Sequence, residues 1–377
     1  MTDPVITWNF DGGAIEVVDG RDVHNVRLRL RADNAADFRQ WFYFRVQGVA
    51  GRSLSLSIEN AGEAAYPDGW PDYRCMASYD RQHWFRIEET RYEDGVLRID
   101  HTPARDSVYF AYFEPYSQER HLDFLGRIDG SPFARVKTLG TTVEGRGLDL
   151  VEVGDPGPSR LQVWIIARQH PGETMASWFM EGLMDRLLDP VDPVSRRVRE
   201  LACIYLVPHM NPDGAVRGNL RTNAVGANLN REWRAPDLQR SPEVWWVRQA
   251  MLTSGVDLFL DIHGDEALPY VFFSTAEEVP GYSEEAKRRQ ARLVEAFASA
   301  SPDFQTEHGY VAGRFGEELL DLASKWVAHQ FGCVSLTLEM PFKDNANLPN
   351  AEVGWNGARS RRLGEAMLLA VLAHLES

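Results

Sequence analysis

The chain holds 377 residues with 44% hydrophobic and 25% charged side chains, enough apolar content for a large core, which excludes a disordered or fibrous protein. Its 55 acidic residues against 40 basic ones give a formal charge of −15, which excludes a general binder of nucleic acids or anionic membranes, since these need a basic footprint. No apolar run nears the roughly 20 residues that span a bilayer, and Met1–Trp8 lacks the basic and apolar segments of a secretion signal.

From Ile6 to about Pro115 the chain reads as short β-prone segments: Val26–Arg31, Trp41–Val46, Leu54–Ile58, Leu97–His101 and Val108–Phe113. Turn-rich stretches such as Asp11–Gly13 and Tyr66–Pro71 separate them, and no long helical period intervenes. Short strands at regular spacing predict an antiparallel β-sandwich over residues 1–122. A connecting stretch around Glu119–Lys137 leads into residues 123–377, where strands and helices alternate. Strands are expected at Leu161–Ala167, Ala202–Val207, Val256–Ile262, Val271–Phe273 and Cys333–Leu338. Helices are expected at Thr174–Leu188, Pro242–Leu252, Glu284–Ala300, Glu317–Phe331 and Gly357–Leu375. Near-continuous apolar strands alternating with helices describe a sheet covered on both faces, whose ligands sit beyond the strand carboxyl ends. Cys75, Cys203 and Cys333 are widely spaced with no CxxC pair and read as reduced thiols of a cytoplasmic protein.

Three strands end in metal-ligating or acid–base residues. The strand ending at Ala167 runs into Arg168-Gln-His170-Pro-Gly-Glu173, Val256–Ile262 into His263, and Cys333–Leu338 into Glu339. His170 and Glu173 flank a Pro-Gly bend that feeds a helix, so both heads can converge. Two imidazoles and a carboxylate with a fourth position open to water form the catalytic ligand count for zinc. Glu339 then stands as a base able to take a proton from that water. Any one of these residues alone reads as a surface pair, a strand-edge histidine or a capping carboxylate; their common placement at one sheet edge argues for a site. Between Pro208 and Arg240 five arginines (Arg217, Arg221, Arg231, Arg234, Arg240) face three acids, a local excess of positive charge in an acidic chain. Arginine's planar fork suits carboxylate capture and oxyanion stabilisation.

Ala167–Thr174, Asn211-Pro-Asp-Gly214, Gly218-Asn-Leu-Arg221, Asn228–Trp233, Asp261-Ile-His-Gly264 and Thr337-Leu-Glu339 together resemble the zinc metallocarboxypeptidase family, in particular its cytosolic carboxypeptidase branch. Gln40–Arg45 and Phe110–Tyr116 look like that branch's amino-terminal β-domain, so the likeness covers nearly the whole chain. It implies an α/β fold, a mixed sheet flanked by helices, preceded by an antiparallel β-sandwich domain. It implies one zinc ion per chain on His170, Glu173 and His263, with Glu339 as general base and Arg221 steadying the oxyanion. Asn230 and Arg231 match the pair that grips the substrate's terminal carboxylate, which makes the expected partner a peptide or protein C-terminus. Where many relatives carry an aspartate, this chain has Asn228, a weaker acceptor for the outer nitrogen of His170. No motif aligns the substrate-covering tyrosine of the digestive enzymes, and Tyr310 is the candidate for it. Relatives of this branch trim glutamates from protein tails, which implies a basic pocket, and the stretch before the base offers Arg314 and Lys325. A β-domain in place of a propeptide implies no zymogen. The rival readings are a zinc amidohydrolase acting on N-acyl amino acids or cell-wall-type peptides, and a catalytically silent peptide-binding protein. Mixed-sign surface elements and the aromatic-rich first half leave room for a homo-oligomer.

Overall fold

In the computed structural model, residues 3–155, 160–311 and 313–377 are described. The first half forms two five-stranded sheets. One runs in the order Val5–Thr7, Tyr43–Gln47, Ser107–Ala111, Met76–Ser78, Trp84–Arg86 and is antiparallel throughout. The other runs Glu16–Asp19, Val26–Arg29, Leu54–Ile58, Val96–His101, Thr90–Glu93 and is antiparallel except where Val26–Arg29 meets Leu54–Ile58. That parallel pair arises because the chain leaves for the first sheet, through Tyr43–Gln47, before it returns. Alternation dictates the faces: Val26 and Leu28 are fully buried while Arg27 is exposed. They share one core with Phe44, Val46, Val108 and Phe110 of the facing sheet. Five of these ten strands carry no sequence signal, since they span only three or four residues and show no period.

The second half is built on a seven-stranded sheet in the order Ala134–Thr141, Gly147–Val153, Ala202–Val207, Leu161–Ala167, Leu258–Asp265, Val334–Pro341, Phe272–Thr275. The middle four strands pair in parallel and the flanking ones antiparallel, a mixed sheet. Successive side chains feed two different cores: Val163 and Ile165 join Met175, Phe179, Leu183 and Leu363 on one face, Trp164 and Ile166 join Trp233, Val247 and Val327 on the other. Both faces are therefore covered, which is why the strands read as unbroken apolar runs. The hairpin Ala134–Thr141/Gly147–Val153 and the helices Gln118–Asp129 and Pro193–Leu201 are not among the elements expected from the sequence. The helix Gln118–Asp129 straddles the expected boundary at residue 122.

One expected helix is broken. Gly316–Asp321 is a 3₁₀ turn, Leu322 is extended (φ −84°, ψ 143°), and the α-helix begins only at Ala323. The reason lies far away in the chain. Asn230 Oδ1 accepts the amide hydrogen of Ala323 at 2.8 Å, capping a helix start that has no capping side chain of its own. Among the described residues no helix is long and apolar enough to cross a membrane, and Cys75, Cys203 and Cys333 are all free and buried.

Candidate active site

The strand Leu161–Ala167 ends at Arg168, whose φ of +60° reverses the chain and sends Gln169–Glu173 across the sheet edge before the helix Met175–Leu187 starts. His170 and Glu173 leave this turn together, with Nδ1 of His170 2.6 Å from Glu173 Oε1. His263 arrives from the neighbouring strand, its Nδ1 2.8 Å from Glu173 Oε2 and 3.2 Å from His170 Nδ1. All three are buried, and their ligand atoms lie within 4.8 Å of one another. Two neutral-capable imidazoles and a carboxylate converging on one point fit the donor set of a catalytic zinc site.

The outer ring nitrogens explain why both Nδ1 atoms face inward. His170 Nε2 meets Asn228 Oδ1 at 3.1 Å, and His263 Nε2 meets Asp261 Oδ2 at 2.9 Å. Asp261 is itself held by Gln169 Nε2 at 2.7 Å, and Gln169 Oε1 accepts Trp233 Nε1 at 2.8 Å. Burial, reinforced by the Arg221 charge, pushes His170 down to about 3, so its ring is the neutral form a metal requires. Burial opposes the His263 cation, but Asp261 and Glu173 on either side outweigh it and raise its pKa.

Glu339 stands directly beside His263, paired with it across adjacent parallel strands, so both side chains emerge on the same side. Neither ends its strand: the strands continue to Asp265 and Pro341. Burial pushes the Glu339 carboxyl up to about 8, the nearby His263 charge working the other way. The Tyr310 hydroxyl lies 3.0 Å from Glu339 Oε1 and 2.7 Å from Asp265 Oδ2, so it is turned onto the base, inside the cleft. Glu339 Oε2 is buried with no partner among the described residues.

These residues line a cleft of about 1050 Å³. Arg221, Asn230, Arg231, Arg314 and Lys325 line it too, while Asn228 stands behind His170. Among the described residues the Arg221 guanidinium makes no ion pair; its neighbours are the rings of Phe38 and Tyr66, 5.8 and 5.3 Å from their centroids. Arg231 Nε is paired with Glu318 at 3.1 Å. Arg314 is exposed at the rim, its guanidinium 4.0 Å from the Tyr310 ring centroid. Lys325 is only 2% exposed, and its ammonium donates to Ser274 Oγ at 3.2 Å and to the Thr275 carbonyl.

Residues 127–353 match the family described as zinc carboxypeptidase. The chain belongs to the zinc carboxypeptidase family. Residues 6–113 match the cytosolic carboxypeptidase N-terminal domain. A metallo-carboxypeptidase from Burkholderia cenocepacia is 55% identical with a TM-score of 0.97, covering 99% of both chains. A metallo-carboxypeptidase from Pseudomonas aeruginosa, solved with (2-guanidinoethylmercapto)succinic acid, is 45% identical with a TM-score of 0.93, covering 98% of both. Cytosolic carboxypeptidase 6 of Caenorhabditis elegans is 24% identical over 90% of this chain and 78% of its own.

Several residues of this candidate site have no counterpart among the site residues expected from the sequence. Asp261 was detectable, because a spacing of two on a strand puts it on the His263 face. Asp265 and Glu266 follow in the same run; Glu266 is buried in the cleft with Oε1 lacking a partner among the described residues, and burial raises its carboxyl. Tyr66 reaches the cleft from the β half and had no local signal at all.

Proposed function

We propose that this zinc carboxypeptidase removes acidic residues from the C-termini of peptides or protein tails. C-terminal hydrolysis follows from the family; the acidic preference rests on Lys325. A buried ammonium normally has a carboxylate partner. Lys325 has none among the described residues, only a hydroxyl and a carbonyl, and it lines the same cleft as the ligand triad. A substrate carboxylate entering there completes an ion pair that the chain leaves open.

The positions of the lining residues in the cleft support the remaining roles. Asn230 and Arg231 hold the substrate's terminal carboxylate, Arg231 exchanging Glu318 for it. His170, Glu173 and His263 would hold the zinc ion, which when bound would supply Lewis acidity and make water more acidic. Glu339 takes a proton from the attacking water and returns it to the departing amine, so the water oxygen ends in the new carboxyl as the C–N bond breaks. Arg221, which makes no ion pair among the described residues, donates to the oxygen on which charge develops.

The test is kcat/KM for peptides ending in Glu, Lys and Phe. The ligand of the Pseudomonas aeruginosa relative joins a succinic acid to a guanidino arm, so the Lys-ending peptide is the decisive competitor. The Glu-ending peptide is expected to lead, and preference for Lys or Phe would reject the acidic reading. Cleavage of N-acyl amino acids with every peptide left intact would instead point to an amidohydrolase.

A further inference from the structure

We infer that Asp33, a residue of the β-sandwich half, is a positioning residue for the Arg221 guanidinium. Its carboxylate is 5% exposed and accepts hydrogen bonds from three consecutive amides of the loop that carries Arg221: Leu220 at 2.6 Å, Arg221 at 2.8 Å and Thr222 at 2.9 Å. The Thr222 hydroxyl adds a fourth donor at 3.0 Å. No helix or strand holds this segment, so these bonds fix the backbone from which the arginine side chain leaves.

The neighbours of Asp33 extend the grip in both directions. Arg31 donates to the carbonyls of Arg217 and Gly218, the latter at 3.2 Å. Asn34 donates from its amide to Asn219 Oδ1 at 3.3 Å, accepts from Asn219 Nδ2 at 2.6 Å, and donates from Nδ2 to the Ala224 carbonyl. Two glycines let the loop come this close. Gly218 and Gly226 have φ of +70° and +81°, and a Cβ on them would stand 2.8 Å from the Gly12 and Gly13 carbonyl oxygens and 2.2 Å from that of Ala35. At the far end of the side chain, Phe38 and Tyr66 of the same half wall the guanidinium. The β half therefore fixes both ends of Arg221, and a buried carboxylate aimed at three amides preorganises a donor that must not reorient during reaction. Burial raises the Asp33 carboxyl, and its four donors counter that rise.

This inference rests on the role proposed for Arg221, and the experiment separates the two. Asp33→Asn, Arg221→Ala and the double variant are compared for kcat, KM, zinc content and melting temperature on one peptide. Arg221→Ala is expected to lower kcat by about 100- to 1,000-fold, as for loss of an oxyanion donor. Asp33→Asn should lower kcat by about tenfold or more with KM and zinc content unchanged. In the Arg221→Ala background it should cost nothing further, the non-additivity of groups that act through one another. A role in folding alone would lower the melting temperature and leave kcat per zinc-loaded molecule intact. An unchanged kcat for Asp33→Asn, or an equal loss in both backgrounds, overturns the inference. Full activity of Arg221→Ala removes the role of Arg221 and the purpose of the clamp with it. Should Asp33→Asn fail to fold, Thr222→Val removes one donor and leaves the carboxylate, and the same outcomes decide, with a smaller loss in kcat expected.

Discussion

The two histidines of the proposed zinc site lean on unequal supports, and this asymmetry can be measured. His263 has a carboxylate behind it, Asp261 at 2.9 Å, whereas His170 has the neutral amide oxygen of Asn228 at 3.1 Å. Hydrogen bonds to a charged acceptor are roughly twice as strong as neutral ones, and they raise the basicity of the ligating nitrogen. Loss of such an outer partner costs about 10- to 100-fold in metal affinity, or about 1.4 to 2.7 kcal/mol. Asp261→Asn should fall in that range, and Asn228→Ala nearer its lower end, because the bond removed is neutral. Asn228→Asp should move in the opposite direction. Its carboxylate would find two donors in place, His170 Nε2 and the Asn230 amide at 3.1 Å, with the Arg221 charge near the same imidazole. A gain of about fivefold to tenfold is expected, the lower figure allowing for the cost of burying a charge. Zinc dissociation constants from competition with a chromophoric chelator at fixed pH provide the assay. Unchanged affinity in Asp261→Asn, or weaker binding in Asn228→Asp than in the parent, would refute the reasoning.

Burial sets Lys325 to about 8, so its cation is present below that pH and lost above it. The ratio of kcat/KM for Glu-ending over Phe-ending peptides should therefore fall as pH rises through about 8, shared groups such as Glu339 cancelling in the ratio; a flat ratio would detach Lys325 from specificity. Lys325→Met should lower that ratio at pH 7 by about tenfold or more while sparing the Phe-ending peptide, as for an unmade charged hydrogen bond. Glu318→Ala frees the half-buried Arg231 from an exposed carboxylate and should lower KM by about twofold, in keeping with the small worth of solvent-screened ion pairs; a raised KM would mean that Glu318 assists substrate instead. Glu339→Gln should reduce kcat by at least about 100-fold with zinc still bound, and retained turnover would remove Glu339 as the base.

What could be read beforehand was what lies close in sequence or repeats with a period. His170 and Glu173 are three apart on one turn, and His263 and Glu339 sit on two strands whose apolar runs made them conspicuous. Apart from Asp261, Asp265 and Glu266, which neighbour His263 in the chain, the site contributions without a legible signal come from long range. Asp33 meets Leu220 across 187 residues, and an aspartate in a loop has no local pattern that tells of amides so distant. The break at Leu322 has the same cause: the stretch from Glu317 is helical by composition, but its helix takes its cap from Asn230, 93 residues earlier. The same amide therefore lines the cleft and sets where the helix carrying Lys325 begins.

The net charge of −15 conflicts with the proposed acidic substrate only if charge is counted over the whole surface. At physiological ionic strength the Debye length is about 8 Å, so most of that charge is invisible to a peptide end inside the cleft. There Arg221, Arg231 and Lys325 share the lining with the carboxylates Glu173, Asp265, Glu266, Glu317, Glu318 and Glu339, so the proposed acidic end would be met by individual cations at contact range and not by a net positive field. Overall charge and cleft charge thus act on different steps. The global field slows encounter, and the pocket governs what is held once inside. Raising salt from low ionic strength should accordingly speed association of a polyglutamate-ended peptide, the reverse of the usual behaviour for an enzyme steered towards its substrate.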